Sequence, residues 1–160
     1  MSRAKAEPAK ILLKPVVKAL EQGLTDDLVA VALFGSRARG DAEPESDWDL
    51  LIIAHNLPKR MLPRHFYLKS MLPREWCARI SLLAKTPQEF EAQLPSLYLD
   101  IALDALVLFD PQGYLHEKFR KLCSWIDKMG LRRERLNGDW VWRWQQNRPV
   151  EWAPSWENIR

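Results

Sequence analysis

The sequence predicts an α/β fold, because short apolar runs of strand length alternate along the chain with segments of helical periodicity. Residues 9–22 form the first helical segment, since their leucines and valines fall on one stripe and their lysines lie elsewhere. The run 27–34 (DLVAVALF) is short and apolar, which predicts a buried strand that ends at Gly35. A turn-rich stretch, 37–46, then leads to a second predicted strand at 48–54.

The later part of the chain continues this alternation. It contains a partly helical segment at 57–72, a strand at 77–84, a helix that starts at 86, a short helix or irregular segment at 97–103, a strand at 105–109 and a helix at 114–129. The start at 86 is well marked, because Thr86 can cap the helix and Glu89 can close a capping box. We interpret residues 1–110 as the main α/β unit and residues 111–160 as a helix followed by an aromatic tail.

Length and composition are those of an ordinary globular domain. The chain has 160 residues and a net charge of +3, which permits an anionic partner without requiring one. Its longest apolar runs are far shorter than the roughly 20 residues of a membrane span, and MSRAKAEPAK lacks the apolar core of a signal peptide. We therefore expect a cytoplasmic protein without a membrane partner.

The stretch LFGSRARGDAEPESDWDLLII, residues 33–53, contains the strongest functional pattern. Asp47 and Asp49 open the second predicted strand, and residues two apart on a strand point to the same side. Two carboxylates so placed repel each other, and burial strengthens the repulsion. A divalent cation reverses the sign of the interaction, and Mg²⁺ prefers such oxygen ligands together with substrate phosphates and water. These two acids are therefore the predicted metal ligands and catalytic residues.

The first half of the same stretch supplies groups that suit phosphate. Gly35 allows a tight turn at the end of the first strand, and Ser36 offers a hydroxyl and a backbone N–H. Arg37 and Arg39 add positive charge, and a helical turn from Arg37 onward would add free N–H groups. Ser46 is expected to hydrogen-bond locally and to fix the approach to the acids. The combination predicts a site for a metal-bound triphosphate.

The segment LFGSRARGDAEPESDWDLLI closely resembles the signature of the polymerase-beta-like nucleotidyltransferase superfamily, and it looks most like the small MNT-type minimal members. Weaker similarity continues through AKTPQEFE (84–91) and YLDIALDALVLFD (98–110). The resemblance therefore covers residues 1–125, as a nucleotidyltransferase domain, and leaves 126–160 as a Trp-rich tail packed on the domain or on a partner. It implies a mixed β-sheet with helices packed on one face and a nucleoside triphosphate at its mouth.

The resemblance also implies a reaction and its site residues. By position, Gly35 and Ser36 would hold the triphosphate, while Asp47 and Asp49 would bind Mg²⁺ in a site that could be of the two-metal type. The implied reaction moves a nucleoside monophosphate onto a hydroxyl group and releases pyrophosphate.

The chain departs from the family at one point. Active members usually carry a third carboxylate on the following strand, and Ser81 stands in its place when the sequence is aligned through the next Lys-Thr-Pro. Serine is a poor metal ligand and no base near neutral pH. Three explanations stay open: Asp100 or Asp104 approaches from the next element, a partner supplies an acid, or the protein binds a nucleotide without turning it over.

Tryptophans crowd into the last thirty residues, among several arginines. They are Trp140, Trp142, Trp144, Trp152 and Trp156. The alternation across 140–144 predicts a strand with one indole-rich face. Such a tail could fold back over its own domain, form a protein interface or stack on nucleic acid, and we favour the first of these.

Two functions follow. The first is a Mg²⁺-dependent nucleotidyltransferase that attaches a nucleoside monophosphate, AMP from ATP in the simplest case, to a hydroxyl of a protein or small acceptor. The resemblance adds one version, since many minimal nucleotidyltransferases resemble antitoxins that silence a HEPN-type ribonuclease by attaching AMP. The alternative is a catalytically impaired nucleotide-binding or protein-interaction module. A nucleic-acid partner is not expected, because the sequence shows no convincing basic groove, and a homo-oligomer stays open.

Overall fold

The computed structural model describes residues 3–145 and 155–159. The elements, in chain order, are α1 (Arg3–Leu24), β1 (Leu28–Phe34), α2 (Gly35–Arg39), β2 (Trp48–Ala54), α3 (Met61–Lys69), β3 (Ile80–Lys85), α4 (Pro87–Ala92), α5 (Ser96–Asp104), β4 (Leu106–Phe109), α6 (Tyr114–Lys128), β5 (Leu131–Leu136) and β6 (Asp139–Trp144). Each predicted strand and helix is present. Among the residues described, the structure adds α2, in a stretch expected to be turns, and β5, which begins a C-terminal hairpin. It also adds short 3-10 helices at Thr25–Asp27, Arg74–Trp76 and Trp156–Asn158.

Four strands form a mixed sheet in the order β3-β2-β1-β4. β1 pairs antiparallel with both β2 and β4, whereas β2 and β3 run parallel. In this register Phe34, at the end of β1, lies opposite Asp49, and Asp49 lies opposite Ser81 on β3. The sheet therefore brings the end of β1 and the beginnings of β2 and β3 to one end.

Helices cover both faces of this sheet. Leu50 and Ile52 of β2 pack in one apolar cluster with α1, whose Leu13 is fully buried. Leu51 and Ile53 belong to a second cluster, formed with α4, α5 and α6. The α/β fold with a mixed sheet is as predicted, but the helices lie on two faces instead of the one that the resemblance implied. The physical reason is that both faces of the central strands are apolar and need cover.

α1 is longer than predicted and continues through Pro8 and Pro15. A proline inside a helix removes a backbone hydrogen bond and crowds the preceding turn. The helix persists because Leu13, Val16 and Leu20 are fully buried on one stripe, and burial of each such side chain contributes about 1.5–3 kcal/mol. Among the residues described above, none of the helices combines the length and the apolar character that a membrane span requires.

The predicted capping box is present at the start of α4. Thr86 Oγ1 accepts a hydrogen bond from the Glu89 N–H at 3.2 Å, and Glu89 Oε2 accepts one from the Thr86 N–H at 3.0 Å. Arg64 of α3, which is 9% exposed, also donates to both carboxylate oxygens of Glu89, at 2.6 and 2.7 Å. These hydrogen bonds, that from Arg64 first, lower the pKa of Glu89 to about 2. The same arginine donates to the carbonyl of Ala84 at 3.0 Å, on the edge strand β3.

β5 and β6 form a separate two-stranded hairpin. It turns at Asn137 and Gly138, whose φ angles are 52° and 96°. Positive φ at both central residues is what a tight two-residue hairpin turn requires, and Asn-Gly is the sequence that favours it. The strand predicted at 140–144 is therefore one half of a hairpin.

Several tryptophans of the tail pack on the chain's own apolar core. Trp142 and Trp144 of β6 lie against the second apolar cluster, as does Trp156. The indole N–H of Trp156 donates to the carbonyl of Phe90 at 2.9 Å. These contacts agree with the self-packing that we favour for the tail, while Trp152 lies outside the described residues.

Candidate functional site

The bend after β1 is in direct contact with the second acid of the pair. Gly35 has a φ of +74°, a conformation that glycine adopts freely and other residues avoid. A Cβ atom at this position would lie only 2.2 Å from Oδ2 of Asp49. The carboxylate therefore occupies the space in which any other residue would have its side chain, and the structure brings these two predicted site residues together.

Asp47 and Asp49 influence each other electrostatically. Asp47 is exposed and directly precedes β2, whereas Asp49 is half-buried. Burial, and then the negative charge of Asp47, raise the pKa of Asp49, while the charge of Arg39 and a hydrogen bond from Ser81 act in the opposite direction. Trp48, between the acids, points away from them into the first apolar cluster. The two carboxylates are thus close enough to repel each other, and a bound cation would relieve this repulsion.

The two acids suit part of a magnesium shell. Mg²⁺ commonly takes one or two carboxylates from a protein and completes its shell with phosphates and water. Within residues 3–145 and 155–159, no group of three or more histidine, cysteine, aspartate or glutamate side chains could hold a metal. Ser81 lies opposite Asp49 in the parallel strand pair, where the third carboxylate was expected. The donors present therefore fit a metal that also binds a substrate.

Asp100 and Asp104, considered above as replacements for the third acid, are paired with an arginine of the hairpin. Arg133 donates through Nη1 to Asp104 at 2.5 Å and to Asp100 at 3.1 Å, and through Nη2 to Asp104 at 2.8 Å. Both carboxylates thus have a cationic partner on β5. The structure does not bring them into a metal-binding group with Asp47 and Asp49 among the residues it describes.

Arg37 and Ser46, both predicted to bind the nucleotide, hold the loop that leads to the acids. Arg37 donates to the carbonyl of Ser46 at 2.9 and 2.7 Å and to that of Pro44 at 2.9 Å. Its guanidinium lies 4.5 Å from the ring centre of Trp48, on the sheet face opposite to Asp49. The Ser46 hydroxyl accepts from the N–H of Glu43 at 3.0 Å, which is the local hydrogen bond that the sequence predicts.

The positive charge of Arg39 lowers the pKa of Asp49, so this arginine is within electrostatic range of the second acid. Its Nε donates to both carboxylate oxygens of Asp41 at 3.2 Å. Burial raises the pKa of Asp41, but hydrogen bonds from Arg39 and from Trp140 of the hairpin lower it overall. Neither Asp41 nor Trp140 was among the predicted site residues. The Asn-Gly turn at 137–138 is the signal that could have revealed the hairpin.

The helical turn at the site begins earlier in the chain than the sequence predicts. α2 starts at Gly35 rather than at Arg37, and it ends at Arg39, just before Gly40, whose φ is +84°. The carbonyl of Ser36 accepts from the N–H groups of Gly40 at 2.8 Å and Asp41 at 3.1 Å. Ser36 is therefore fixed in the first turn of α2, next to the bend that contacts Asp49.

Known proteins resemble this chain in sequence and in fold. A Methanocaldococcus jannaschii protein whose name proposes a protein adenylyltransferase is 46% identical over 61 residues, which are 38% of this chain and 42% of that protein. The chain therefore matches less than half the length of this relative.

Two solved structures show the same fold. A chain from a toxin–antitoxin structure with AMP-PNP superposes with a TM-score of 0.52 and 16% identity, over 72% of this chain and 86% of that chain. A chain from the structure of a tri-AMPylated Shewanella oneidensis HEPN toxin with its MNT antitoxin gives a TM-score of 0.50 and 16% identity, over 74% and 87%. At this level of identity the two similarities establish the fold alone.

The family model of the nucleotidyltransferase domain matches residues 13–132. The matched part contains the bend at Gly35, both acids and Ser81, and it ends inside β5. The match agrees with the resemblance of the segment 33–52 to polymerase-beta-like nucleotidyltransferases. The chain therefore belongs to the nucleotidyltransferase domain family.

Proposed function

We propose that this protein uses ATP and Mg²⁺ to transfer AMP to a hydroxyl group of a protein or a small acceptor. The observation that carries the proposal is the contact between the Asp49 carboxylate and the Gly35 bend, with Asp47 beside it. A triphosphate held against this bend would lie next to both carboxylates. The family supports the reaction class, and the name of the Methanocaldococcus relative supports AMP as the group transferred.

In this proposal Asp47 and Asp49 hold Mg²⁺, which when bound neutralises phosphate charge and orients the leaving group. Gly35 lets the phosphates approach the backbone because it has no side chain, and Ser36 offers its N–H and hydroxyl. The acceptor oxygen forms a bond to the α-phosphorus, and the bond from that phosphorus to the bridging oxygen breaks. Pyrophosphate leaves with the electron pair. The hydroxyl proton passes to solvent or to a group of the acceptor, because Ser81 is no base near neutral pH.

The residues predicted to bind the nucleotide divide into two groups. Gly35, Ser36 and Arg39 keep that role in the proposal, since they lie at the bend or within electrostatic reach of Asp49. Arg37 and Ser46 instead fix the loop before Asp47, as their hydrogen bonds to loop carbonyls and amides indicate. Their contribution would be to hold the two acids in place.

A HEPN-type protein is the macromolecular acceptor that we propose to test first. Support comes from the similarity of fold to toxin–antitoxin structures, one of which contains a tri-AMPylated HEPN toxin. In that case the protein would act as an antitoxin that modifies a hydroxyl of its partner.

The alternative function is a nucleotide-binding or protein-interaction module that has lost turnover. It is favoured by one observation, the serine at position 81 in place of an acid next to Asp49. The two functions share the metal–triphosphate site and differ only in the chemical step.

The experiment that separates them uses ATP labelled at the α-phosphate, Mg²⁺, and a HEPN-type protein as the acceptor. Covalent label on the acceptor is expected with the unmodified protein and should be lost in Asp47→Asn and Asp49→Asn. Asp26→Asn is the matched control, because Asp26 is an exposed acid in the turn at the opposite end of β1 from Gly35.

The outcomes separate the two functions. Label that depends on both acids supports AMP transfer. A rise in melting temperature with ATP and Mg²⁺, without label on any acceptor tested, supports the binding module. If the unmodified protein gave neither label on an acceptor nor a rise in melting temperature with ATP and Mg²⁺, the metal–triphosphate site itself would be contradicted.

A further inference from the structure

The helix α3 exposes apolar side chains on the side that faces away from the sheet. Its inner side buries Arg64 and Leu68, which are 9% and 0% exposed. Leu62 and Phe66 lie four residues apart on the opposite side of the helix, and each is 68% exposed. Met61, at the start of α3, is 84% exposed. A surface helix normally places polar residues on its outer side, so this apolar group indicates a surface that binds another molecule.

A cavity of about 310 Å³ lies between α3 and the edge strand β3. Met61 and Leu68 line it from the helix, and Leu82 lines it from the strand. Lys59 and Lys85 also border the cavity. A recess of this kind can hold a side chain that protrudes from a folded protein, as the central residues of protein interfaces are held. A membrane surface offers no such side chain, so the cavity favours a protein as the occupant.

α3 follows the edge of β3 as far as the start of the strand, next to the proposed reaction site. Arg64 donates to a carbonyl at the C-terminal end of β3, and Lys69, the last residue of α3, donates to the carbonyl of Ile80 at its start. The helix thus covers this edge, and a partner would dock through side chains rather than by adding a strand. Ile80 directly precedes Ser81, which is exposed and lies opposite Asp49. The surface of α3 therefore borders the proposed reaction site.

The charge of this surface indicates the chemistry of its partner. The segment 57–74 contains five lysine and arginine residues and no aspartate or glutamate. Lys59 and Arg60 are exposed just before α3, where the helix dipole disfavours cations, and the first turn of α3 contains no acid. Glu89, which also borders the cavity, is paired with Arg64 at 2.6 Å. A second copy docked through the same face would bring the cations together, so an acidic partner is favoured.

We propose that the acceptor of the AMP group is a protein that docks on the outer face of α3 and in the cavity beside β3. The partner would present an apolar side chain to the cavity and acidic residues to Lys59 and Arg60. A protein bound there would lie beside Ser81, so that one of its hydroxyl groups could reach the metal–triphosphate at Asp49. The inference rests on the proposed function, and it selects a protein over a small acceptor.

The test uses a HEPN-type protein as the acceptor and the full chain with Phe66→Glu. Ile11→Glu is the matched control, because Ile11 is 64% exposed on a different helix, α1. Titration calorimetry measures the Kd for the acceptor and the Kd for AMP-PNP with Mg²⁺. Transfer of label from ATP labelled at the α-phosphate is measured with the same proteins. Circular dichroism first shows that each variant is folded.

We expect Phe66→Glu to raise the Kd for the acceptor by about 30-fold or more, as the loss of a central interface residue does, and to reduce the label on it. The Kd for AMP-PNP should be unchanged, because Phe66 lies outside the nucleotide site. Ile11→Glu should change neither value. Lys59→Glu combined with Arg60→Glu should slow association with the acceptor and reduce its dependence on salt.

Each other outcome overturns the inference. Equal acceptor Kd values for Phe66→Glu, Ile11→Glu and the unmodified protein would do so and leave the proposed function intact. Binding to vesicles of anionic phospholipid that only Phe66→Glu abolishes, with acceptor binding unchanged, would assign the face to a membrane. A dimer in sedimentation that only Phe66→Glu dissociates, again with acceptor binding unchanged, would assign it to a second copy.

The two Kd values also separate failure of this inference from failure of the proposed function. An unmodified protein that binds AMP-PNP with Mg²⁺ but neither binds nor labels the HEPN-type protein would overturn the inference alone. An unmodified protein that does not bind AMP-PNP with Mg²⁺ would overturn the proposed function, and the inference with it.

Discussion

Gly35→Ala tests whether the contact between the bend and the acid is required for function. Two physical effects act on the new methyl group. The backbone φ at residue 35, +74°, lies in the left-handed region, where a side chain costs about 1–2 kcal/mol. Its Cβ would also lie 2.2 Å from Asp49 Oδ2, whereas ordinary contact begins at 3.4 Å, so the carboxylate must move by about 1.2 Å. A displacement of about 1 Å can cost about 100-fold in rate.

The two effects have different consequences for stability and function. The φ strain should lower the melting temperature by about 2–8 °C for a domain of this size. The clash should add little to this, because the displaced oxygen is at the end of a side chain that can rotate. The same rotation takes the carboxylate away from the bend, so binding of AMP-PNP with Mg²⁺ should fall steeply.

Gly113→Ala is the matched control for this prediction. Gly113 has nearly the same φ, +72°, but a Cβ there would have no heavy atom within 4 Å. Both variants should therefore lose similar stability, as measured by thermal denaturation, and only Gly35→Ala should lose nucleotide binding in calorimetry. If both variants bound AMP-PNP equally well, the contact between Gly35 and Asp49 would have no functional meaning.

Three further predictions concern charge. Ser81→Asp places a third carboxylate opposite Asp49, so we expect a lower melting temperature without metal and a larger rise on addition of Mg²⁺ than the unmodified protein shows; an identical response to Mg²⁺ would contradict this. In the folded protein the pKa of Asp49 is raised above 3.8. Ionisation of this carboxylate therefore lowers the stability of the fold as pH rises through the folded pKa, and Asp49→Asn removes that cost. The variant should therefore melt at a higher temperature at pH 7 without metal and show no rise with ATP and Mg²⁺; a lower melting temperature at pH 7 would argue against the repulsion. The pKa of Glu89 is lowered from 4.5 to about 2, so its pairing with Arg64 stabilises the fold above about pH 4.5 and this stability is lost as pH falls toward 2. Arg64→Met should then lower the melting temperature at pH 7 and reduce the difference between pH 7 and pH 3, and an unchanged difference would show that the pair is not responsible.

The strand elements of the site could be predicted because they depend on local periodicity. Trp48 points into the core while Asp49 turns to the other side, as the two-residue period of a strand requires. The presence of helices on both faces of the sheet could also have been predicted from the runs LVAVALF and WDLLIIA. Strands buried on both sides have nearly continuous apolar sequences. The pairing of Asp49 with Ser81 could be inferred only by alignment with a family, because it depends on which strands are neighbours.

The directions of the two arginines of α2 could not be predicted from the sequence pattern. Arg37 and Arg39 were both expected to bind phosphate. Residues two apart on a helix, however, point about 200° apart, because each residue advances by about 100°. Once this stretch is helical, only one of the two can face the acids. Arg37 lies over the ring of Trp48, and Arg39 is the arginine whose charge acts on the pKa of Asp49. The difference between prediction and structure therefore follows from one short helix that the turn-rich composition concealed.

Ser81 bears on how the proposed site would hold a metal, because it lies opposite Asp49. An acid at this position would face Asp49, whose pKa is already raised by burial and by Asp47, and would add to that repulsion. The serine instead acts to lower the pKa of Asp49, which favours the ionised form of this carboxylate. Two carboxylates then remain for a cation that usually completes its shell with phosphate oxygens and water. In the function proposed above, the metal would therefore arrive with its triphosphate, and the serine in place of an acid would weaken the chemical step more than the binding of the nucleotide.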